Sequence, residues 1–366
     1  MAYPRRPAME QPLRARFRVI WVLNAACPSR CSYCAVETQR AQRPLARDRV
    51  AAAARDVLAC GFAEVIFVGG EPLLSPDLPA ALEALGGRCE VAVFTGGLPG
   101  DPKRHVDVLA RGVTRLVASL DAGDDDVNDK LRGRAGVTRE LEGLVTAARR
   151  ALPAMRLSVN SVVTRMSAEL APTAWERAEP WGPDSWSLTL AGDNFDGRAP
   201  DGHFLERAQV EAHYLERVPR LASLLAASRR ELVALPVPLP VLAEGLPPRL
   251  WNLHAPRHRA ALDAEFDRYA RGDYNASFVA RYGCPLVGTD ISIGVDGSVY
   301  PCSQAPVLQA RHAVGSLATQ GLAEVLDGAG LRDFRGGVPH AICARCHAPS
   351  NVQRPVLRAL LGGPAR

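Results

Sequence analysis

The 366-residue sequence predicts an α/β fold, a partial (β/α)6 barrel followed by a helical segment and a small C-terminal unit of a β-hairpin and helix. Short apolar runs alternate with amphipathic stretches through the first half, as in parallel βα units. A hairpin signal near the carboxyl end lies among a second group of cysteines. A doubly wound open sheet is the alternative that the same alternation allows.

Six apolar runs are predicted as the barrel strands. They lie at 17–23, 64–68, 90–94, 115–121, 156–164 and 185–190. The intervening stretches 45–60 and 137–150 have helical spacing of apolar residues. In a barrel of this TIM type, the functional site lies at the carboxyl ends of the strands.

The second half contains a helical or linker region and then the hairpin. Residues 203–232 are predicted to form one helix or a helix pair. Asp296-Gly297 separates the apolar runs 291–293 and 299–300, which is typical of a hairpin turn, and a helix is predicted over 322–334.

These elements divide the chain into five parts. The expected parts are an N-terminal extension (1–16), the partial barrel (17–198), a helical and linker region (199–280), a C-terminal metal-binding unit (281–348) and a C-terminal tail (349–366).

Composition argues against several functional classes. The formal net charge is only +5, and the basic residues, all arginines except Lys103 and Lys130, are interspersed with acidic ones, which does not favour nucleic-acid binding. No apolar stretch reaches membrane-spanning length and no secretory signal is present, so a cytoplasmic protein is expected. Nine cysteines in such a protein favour metal ligation over disulfides.

The first group of cysteines directly follows the first predicted strand. Cys27, Cys31 and Cys34 have the spacing C-x3-C-x2-C. Soft thiolates select iron–sulfur clusters or zinc. Three ligands suit a [4Fe–4S] cluster with one open iron, whereas zinc with a distant fourth ligand is the alternative.

This loop, with Tyr33 before its last cysteine, resembles the cluster loop of the radical S-adenosylmethionine (radical SAM) enzymes. The resemblance implies that the three cysteines hold the cluster and that Tyr33 lies near the adenine of SAM. In that family SAM chelates the open iron, and one electron from the cluster releases methionine and a 5′-deoxyadenosyl radical that abstracts hydrogen from a substrate.

Gly69, Gly70 and Glu71, with Pro72, resemble the GGE loop of the same family, where backbone groups hold the amino group of SAM. The residue types suit that role, because glycines allow close backbone approach and a carboxylate suits an ammonium group. An ordinary strand-to-helix turn is the alternative.

The fourth strand end, a predicted helix start and the fifth strand carry further candidate SAM ligands. Ser119 and Asp121 resemble an S-x-D segment whose serine contacts the SAM ribose in the family. Arg132 matches an arginine that pairs with the SAM carboxylate in related enzymes, with an exposed helix-start arginine as the alternative. Asn160 could face the barrel interior from the fifth strand.

The second group of cysteines is Cys284, Cys302, Cys343 and Cys346. Two pairs of cysteines can close around zinc as well as around an iron–sulfur cluster. The spacing resembles the SPASM domain of radical SAM enzymes in its shortened "twitch" form, which implies one auxiliary [4Fe–4S] cluster for electron transfer. Cys60 and Cys89 belong to neither set.

The sequence therefore predicts an iron–sulfur oxidoreductase that uses SAM to abstract hydrogen from a C–H bond, for oxidation, cyclisation or epimerisation in natural-product biosynthesis. The expected substrate is a small metabolite, because only about sixteen residues precede the first strand, with no leader-binding domain. A ribosomally made peptide is the second expectation, and a non-enzymatic iron–sulfur or zinc scaffold the third. Flavodoxin or ferredoxin is the expected reductant, with no nucleic-acid or membrane partner.

Overall fold

The computed structural model describes residues 17–34, 36, 39–192, 201–236, 238, 256–284, 286–303 and 312–346. The predicted N-terminal extension and C-terminal tail lie outside these residues. No helix of the described chain is long and apolar enough to cross a membrane.

Ten strands of the described chain form one sheet. They are β1 (Arg18–Val22), β2 (Glu64–Val68), β3 (Glu90–Thr95), β4 (Arg115–Ser119), β5 (Arg156–Val163), β6 (Ser185–Leu190), β7 (Glu231–Leu235), β8 (Asp290–Ile293), β9 (Ser298–Tyr300) and β10 (Gly315–Ser316).

Helices occupy the crossovers and the C-terminal unit. They are α1 (Arg47–Ala59), α2 (Leu78–Leu85), α3 (Pro102–Leu109), α4 (Asp125–Arg132), α5 (Val137–Ala151), α6 (Ala171–Ala178), α7 (Arg207–Ala212), α8 (Val218–Ala227), α9 (Pro256–Tyr269), α10 (Ala276–Tyr282), α11 (Leu322–Asp327) and α12 (Ala329–Gly336). A π-helical turn, His213–Arg217, joins α7 to α8, and a 3-10 helix spans Ala341–Arg345.

The sheet is a partial barrel that does not close. Its strand order is β10-β9-β8-β1-β2-β3-β4-β5-β6-β7, and β1 to β7 pair in parallel with their neighbours. The α/β partial barrel and its first six strands are confirmed. The strand β7 is additional: its first two residues fall in the stretch predicted to be helical, because its apolar residues continue the pattern of α8.

The helix α4 positions one of the candidate ligands, and its sequence explains where it begins and ends. The Asp124 side chain accepts a hydrogen bond from the Val127 amide at 3.0 Å, which caps the amino end. Gly133 adopts the left-handed conformation (φ 65°) that closes the carboxyl end. Arg132 is therefore the last residue of the helix.

The C-terminal hairpin is continuous with the barrel sheet. The predicted antiparallel pairing of β8 with β9 is present, with Gly297 at φ 82° in the turn. The sequence did not predict that β8 also pairs in parallel with β1. Asp290 on β8 is fully buried and binds the Arg18 guanidinium through both oxygens, at 3.0 and 2.8 Å.

The stretch predicted as one helix over 322–334 forms two, α11 and α12. Gly328 between them is extended (φ −72°, ψ 163°), which interrupts the helical backbone. The short 3-10 helix, which contains Cys343 and ends directly before Cys346, follows α12, as the predicted order requires.

Candidate active site

The loop of the first three cysteines continues from β1 and lies directly on the glycine turn after β2. The amides of Gly70 and Glu71 donate to the carbonyls of Asn24 and Ala26, both at 2.8 Å. A Cβ at Gly69 would lie 2.3 Å from Asn24 O, and one at Gly70 would lie 2.2 Å from Ala26 O. These glycines are thus required for the approach of the cysteine loop itself.

The end of α4 supports the same loop from the other side. The Arg30 amide donates to Arg132 O at 3.0 Å, and the Cys31 thiol lies 3.6 Å from the same carbonyl. A Cβ at Gly133 would lie only 2.3 Å from Arg30 O, so glycine is required here also. The loop is therefore fixed between the β2 turn and α4.

The three loop thiols are free and close enough to influence each other's ionisation. Burial raises the pKa of Cys31 to about 11; Arg132 opposes this shift, while Cys34 and Cys27 add to it. Burial also raises the pKa of Cys27. Within the described part of the chain, no three His, Cys, Asp or Glu residues surround a single metal ion. In a cluster each thiolate binds a different iron, so this soft donor set fits a [4Fe–4S] group.

Tyr33, Asp121 and Arg132 form a buried hydrogen-bonded group beside the cysteine loop. The Tyr33 hydroxyl donates to Asp121 Oδ2 and accepts from Arg132 Nη1, the latter at 2.5 Å. Arg132 Nη1 also lies 3.4 Å from Asp121 Oδ2. Arg132 Nε is buried and has no hydrogen-bond partner among the residues that the structure describes. The site therefore retains a cationic donor that could receive an anionic ligand.

Glu71 faces the protein interior. Its carboxylate accepts from Thr95 Oγ1 at 3.1 Å, the Gly96 amide at 3.0 Å and the Leu73 amide at 3.3 Å. Burial raises the pKa of Glu71 to about 7, against the opposing effect of these donors. Its backbone carbonyl accepts from Asn24 Nδ2 at 3.0 Å. Glu71 thus connects the cysteine loop to the end of β3, and its carboxylate already accepts three hydrogen bonds from the protein.

Ser119 is the last residue of β4, and its Cα is paired in register with that of Asn160 in the middle of β5. Ser119 is buried, and Asn160 O accepts from the Leu120 amide at 3.0 Å. Ser119 therefore lies at the carboxyl ends of the strands, as the cysteine loop does, and Asn160 lies beside it.

Several residues that build this site carried no role in the sequence prediction. Asn24, Thr95 and Gly96 join the cysteine loop to β3, and Asn128 Oδ1 accepts from the Asp121 amide at 2.9 Å. Thr95-Gly96-Gly97 directly after a predicted strand was the available signal.

Three of the C-terminal cysteines pack together. Cys346 is buried with Phe278 and Leu286, and Cys284 and Cys343 pack against this group. The loop between the last two cysteines is held by a 2.8 Å hydrogen bond from the Asn275 amide to Ala344 O. Burial raises the pKa of Cys284 to about 11, with a contribution from Cys343. This set of thiols also suits a soft metal or cluster.

The C-terminal cysteine set lies at the opposite end of the sheet from the first. Cys284 precedes β8, and Cys302 follows β9, which runs antiparallel to β8. Pro301 O accepts from the Gly288 amide at 2.8 Å, so both cysteines are near the amino end of β8. Because β8 is parallel to β1, the length of β1, about 17 Å at about 3.3 Å per residue, separates the two sets.

Comparison with protein families gives two matches. Residues 21–166 match the radical SAM superfamily, and residues 284–347 match the SPASM iron–sulfur cluster-binding domain. Together these segments make up more than half of the chain and contain both cysteine sets. The radical SAM domain implies a [4Fe–4S] cluster and SAM, and the SPASM domain implies auxiliary iron–sulfur binding.

Sequence relatives include cyclases that act on different substrates. A GTP 3′,8-cyclase of Stenotrophomonas maltophilia is 28% identical over 72% of this chain and 80% of that protein. A PqqA peptide cyclase of Streptomyces rochei is 30% identical over 48% of each chain.

A solved structure shares the fold of nearly the whole chain. SuiB of Streptococcus suis, bound to its precursor peptide SuiA, superposes with a TM-score of 0.62, covering 92% of this chain and 70% of SuiB. The sequence identity is 17%, so this likeness establishes the fold.

Proposed function

Since the chain is a radical SAM enzyme with a C-terminal SPASM domain, we propose that Cys27, Cys31 and Cys34 hold a [4Fe–4S] cluster whose open iron binds SAM. The observation that carries this proposal is the loop itself. Three free thiols lie on a backbone fixed by the β2 glycine turn and by α4, beside Arg132 Nε, which has no hydrogen-bond partner in the described part of the chain.

The bound cluster and SAM supply one-electron cleavage of the sulfonium and hydrogen abstraction from a substrate C–H bond. The protein's part is to bind and orient the reactants. Arg132 receives the carboxylate of SAM, and Tyr33 forms the wall beside the adenine. Ser119 and Asn160 border the same strand ends. Gly69 and Gly70 bring the cysteine loop onto β2, and Glu71 braces that turn against β3.

Cys284, Cys302, Cys343 and Cys346 hold one auxiliary [4Fe–4S] cluster in this proposal. Four cysteine ligands leave no open iron, so the cluster serves electron transfer and not substrate ligation. Its place at the far end of the sheet supports that role, because about 17 Å of β1 separates it from the SAM site. A flavodoxin or ferredoxin is the proposed source of electrons.

The proposed substrate is a peptide side chain. It is supported by the SuiB structure, which shares the fold of most of the chain and contains a bound peptide, and by the PqqA peptide cyclase relative. A small natural-product intermediate is the second candidate. The GTP 3′,8-cyclase relative, which matches a larger part of this chain than the peptide cyclase does, favours it.

Anaerobic reconstitution tests the proposed cofactors. The reconstituted protein should contain about eight irons per chain, as expected for two [4Fe–4S] clusters, and should form 5′-deoxyadenosine from SAM with dithionite. Cys31→Ala should abolish that product, whereas Cys89→Ala, which alters a thiol outside both sets, should not. One zinc per chain and no product would show that the protein is a scaffold.

Isotope transfer distinguishes the two substrate classes. Peptide and low-mass fractions from cells grown in deuterated water are incubated separately with enzyme, SAM and dithionite. Deuterium in 5′-deoxyadenosine from the peptide fraction alone supports the peptide proposal. Deuterium in 5′-deoxyadenosine from the low-mass fraction alone supports a small natural-product intermediate as the substrate.

A further inference from the structure

We infer that the Tyr33 hydroxyl and the Asp121 carboxylate are positioning groups. They hold one nitrogen of the Arg132 guanidinium so that the opposite edge, Nε and Nη2, is presented to the carboxylate of the ligand. The inference rests on the proposed SAM site and assigns Asp121 a role through Arg132, in place of the direct SAM contact expected from the sequence.

Both carboxylate oxygens of Asp121 accept hydrogen bonds from the protein. Its side chain is 1% exposed. Oδ1 accepts from the Val162 amide at 2.8 Å, and Oδ2 accepts from the Tyr33 hydroxyl and lies 3.4 Å from Arg132 Nη1. Its own backbone amide donates to Asn128. A carboxylate with both oxygens bonded and almost no exposure cannot contact a ligand directly, but it can fix its partners.

The Tyr33 hydroxyl completes the link to Arg132. It donates to Asp121 and accepts from Nη1 at 2.5 Å, so a single hydroxyl joins the cysteine loop, the end of β4 and the end of α4. Removing the oxygen would leave Nη1 with only the longer 3.4 Å contact to Asp121. The hydroxyl, in addition to the ring, therefore determines where the guanidinium lies.

The opposite edge of Arg132 forms no hydrogen bond to the part of the chain that the structure describes. Nε is buried without a partner, and Nη2 forms no hydrogen bond within the described residues. The same two atoms of Arg18 bind the Asp290 carboxylate at 3.0 and 2.8 Å, which shows in this protein how that edge receives a carboxylate. Gly96 leaves the space that Arg132 Nη2 occupies, because a Cβ at residue 96 would lie 2.6 Å from that nitrogen.

The test compares two ligands that differ in the group Arg132 would bind. S-adenosylhomocysteine carries the aminocarboxyl group, and 5′-methylthioadenosine has the same thioether and adenosine without it. Dissociation constants are measured by equilibrium dialysis on anaerobically reconstituted protein. Tyr33→Phe, which removes only the hydroxyl, should raise the dissociation constant of S-adenosylhomocysteine by about fivefold, the equivalent of one hydrogen bond. It should change the dissociation constant of 5′-methylthioadenosine by less than about twofold.

Two more variants should show the same selectivity. Asp121→Asn keeps the side-chain shape but removes the charge, and Gly96→Ala displaces Nη2. Tyr214→Phe is the matched control, because it removes another buried hydroxyl, which donates to Pro236 O at 2.6 Å outside the site. It should leave both dissociation constants unchanged.

The outcomes separate the positioning role from the proposed function. If Tyr33→Phe weakens the binding of both ligands equally, the hydroxyl only maintains the loop. If it weakens the binding of neither ligand, the hydroxyl has no role in positioning Arg132. Either result overturns the inference while wild-type SAM cleavage stands. If the wild-type protein neither binds S-adenosylhomocysteine nor cleaves SAM, the proposed function fails and the inference with it.

Discussion

Substitution of Gly70 by alanine should remove the SAM-binding cluster and leave the auxiliary one. The added Cβ would lie 2.2 Å from Ala26 O, whereas real Cβ contacts are essentially never shorter than 3.0 Å. The cysteine loop and the β2 turn must therefore separate by about 1 Å, an overpacking change that typically costs 1–3 kcal/mol. The separation also weakens the two 2.8 Å hydrogen bonds between these backbones, each of about 1 kcal/mol.

A cost of about 2–5 kcal/mol is a large fraction of the stability of a typical domain, so the loop should lose its ligand geometry. Iron per reconstituted chain should fall from about eight to about four, and 5′-deoxyadenosine formation should cease. Gly143→Ala is the control, because a Cβ there would meet, among described atoms outside the helix's own backbone, only Pro102 Cγ, at an ordinary contact distance of 3.9 Å. If Gly70→Ala retains full iron and SAM cleavage, the described path of the loop over the glycine turn is wrong.

Three further outcomes are expected. Arg18→Leu should destabilise the protein by about 3–5 kcal/mol, because it leaves the fully buried Asp290 carboxylate unpaired. Thermal unfolding of Arg18→Leu/Asp290→Leu should recover most of that loss, and no recovery would contradict the ion-pair argument. Cys343→Ala should halve the iron content while 5′-deoxyadenosine formation persists; loss of both would show that the two sites are not independent. Burial lowers the pKa of His213 from 6.5 to about 3. Protonation therefore favours the unfolded chain, and stability is lost as the pH falls below about 6.5. Between pH 7 and pH 5.5, the free energy of unfolding of the wild-type protein should fall by about 1 kcal/mol more than that of His213→Phe. Parallel pH profiles of the two proteins would refute this.

The sequence predicted the parts of the site that depend on local order. Glu64–Val68 and Ser185–Leu190 have the predicted bounds because each is a short apolar run after a helix and a turn. The cysteine loop and the glycine turn were predicted at the carboxyl ends of β1 and β2, and there they contact each other.

Long-range pairing was not readable from the same patterns. The parallel pairing of β8 with β1 joins segments more than 250 residues apart, and the Arg18–Asp290 ion pair that matches its register links residues 272 positions apart. The inward orientation of Glu71 depends on donors from β3, which strand periodicity cannot reveal. The prediction that Asp121 belongs to the SAM site rested on an S-x-D resemblance, which could not show that Tyr33 and Val162 occupy both of its carboxylate oxygens.

The most direct test of this account is the electron paramagnetic resonance spectrum of the dithionite-reduced, oxygen-free Cys343→Ala protein. That variant should carry only the cluster on the first cysteine loop, so its spectrum reports one site. We predict that adding SAM changes the signal, because the ligand binds the open iron. A signal that is present and stays unchanged at saturating SAM would contradict the central claim.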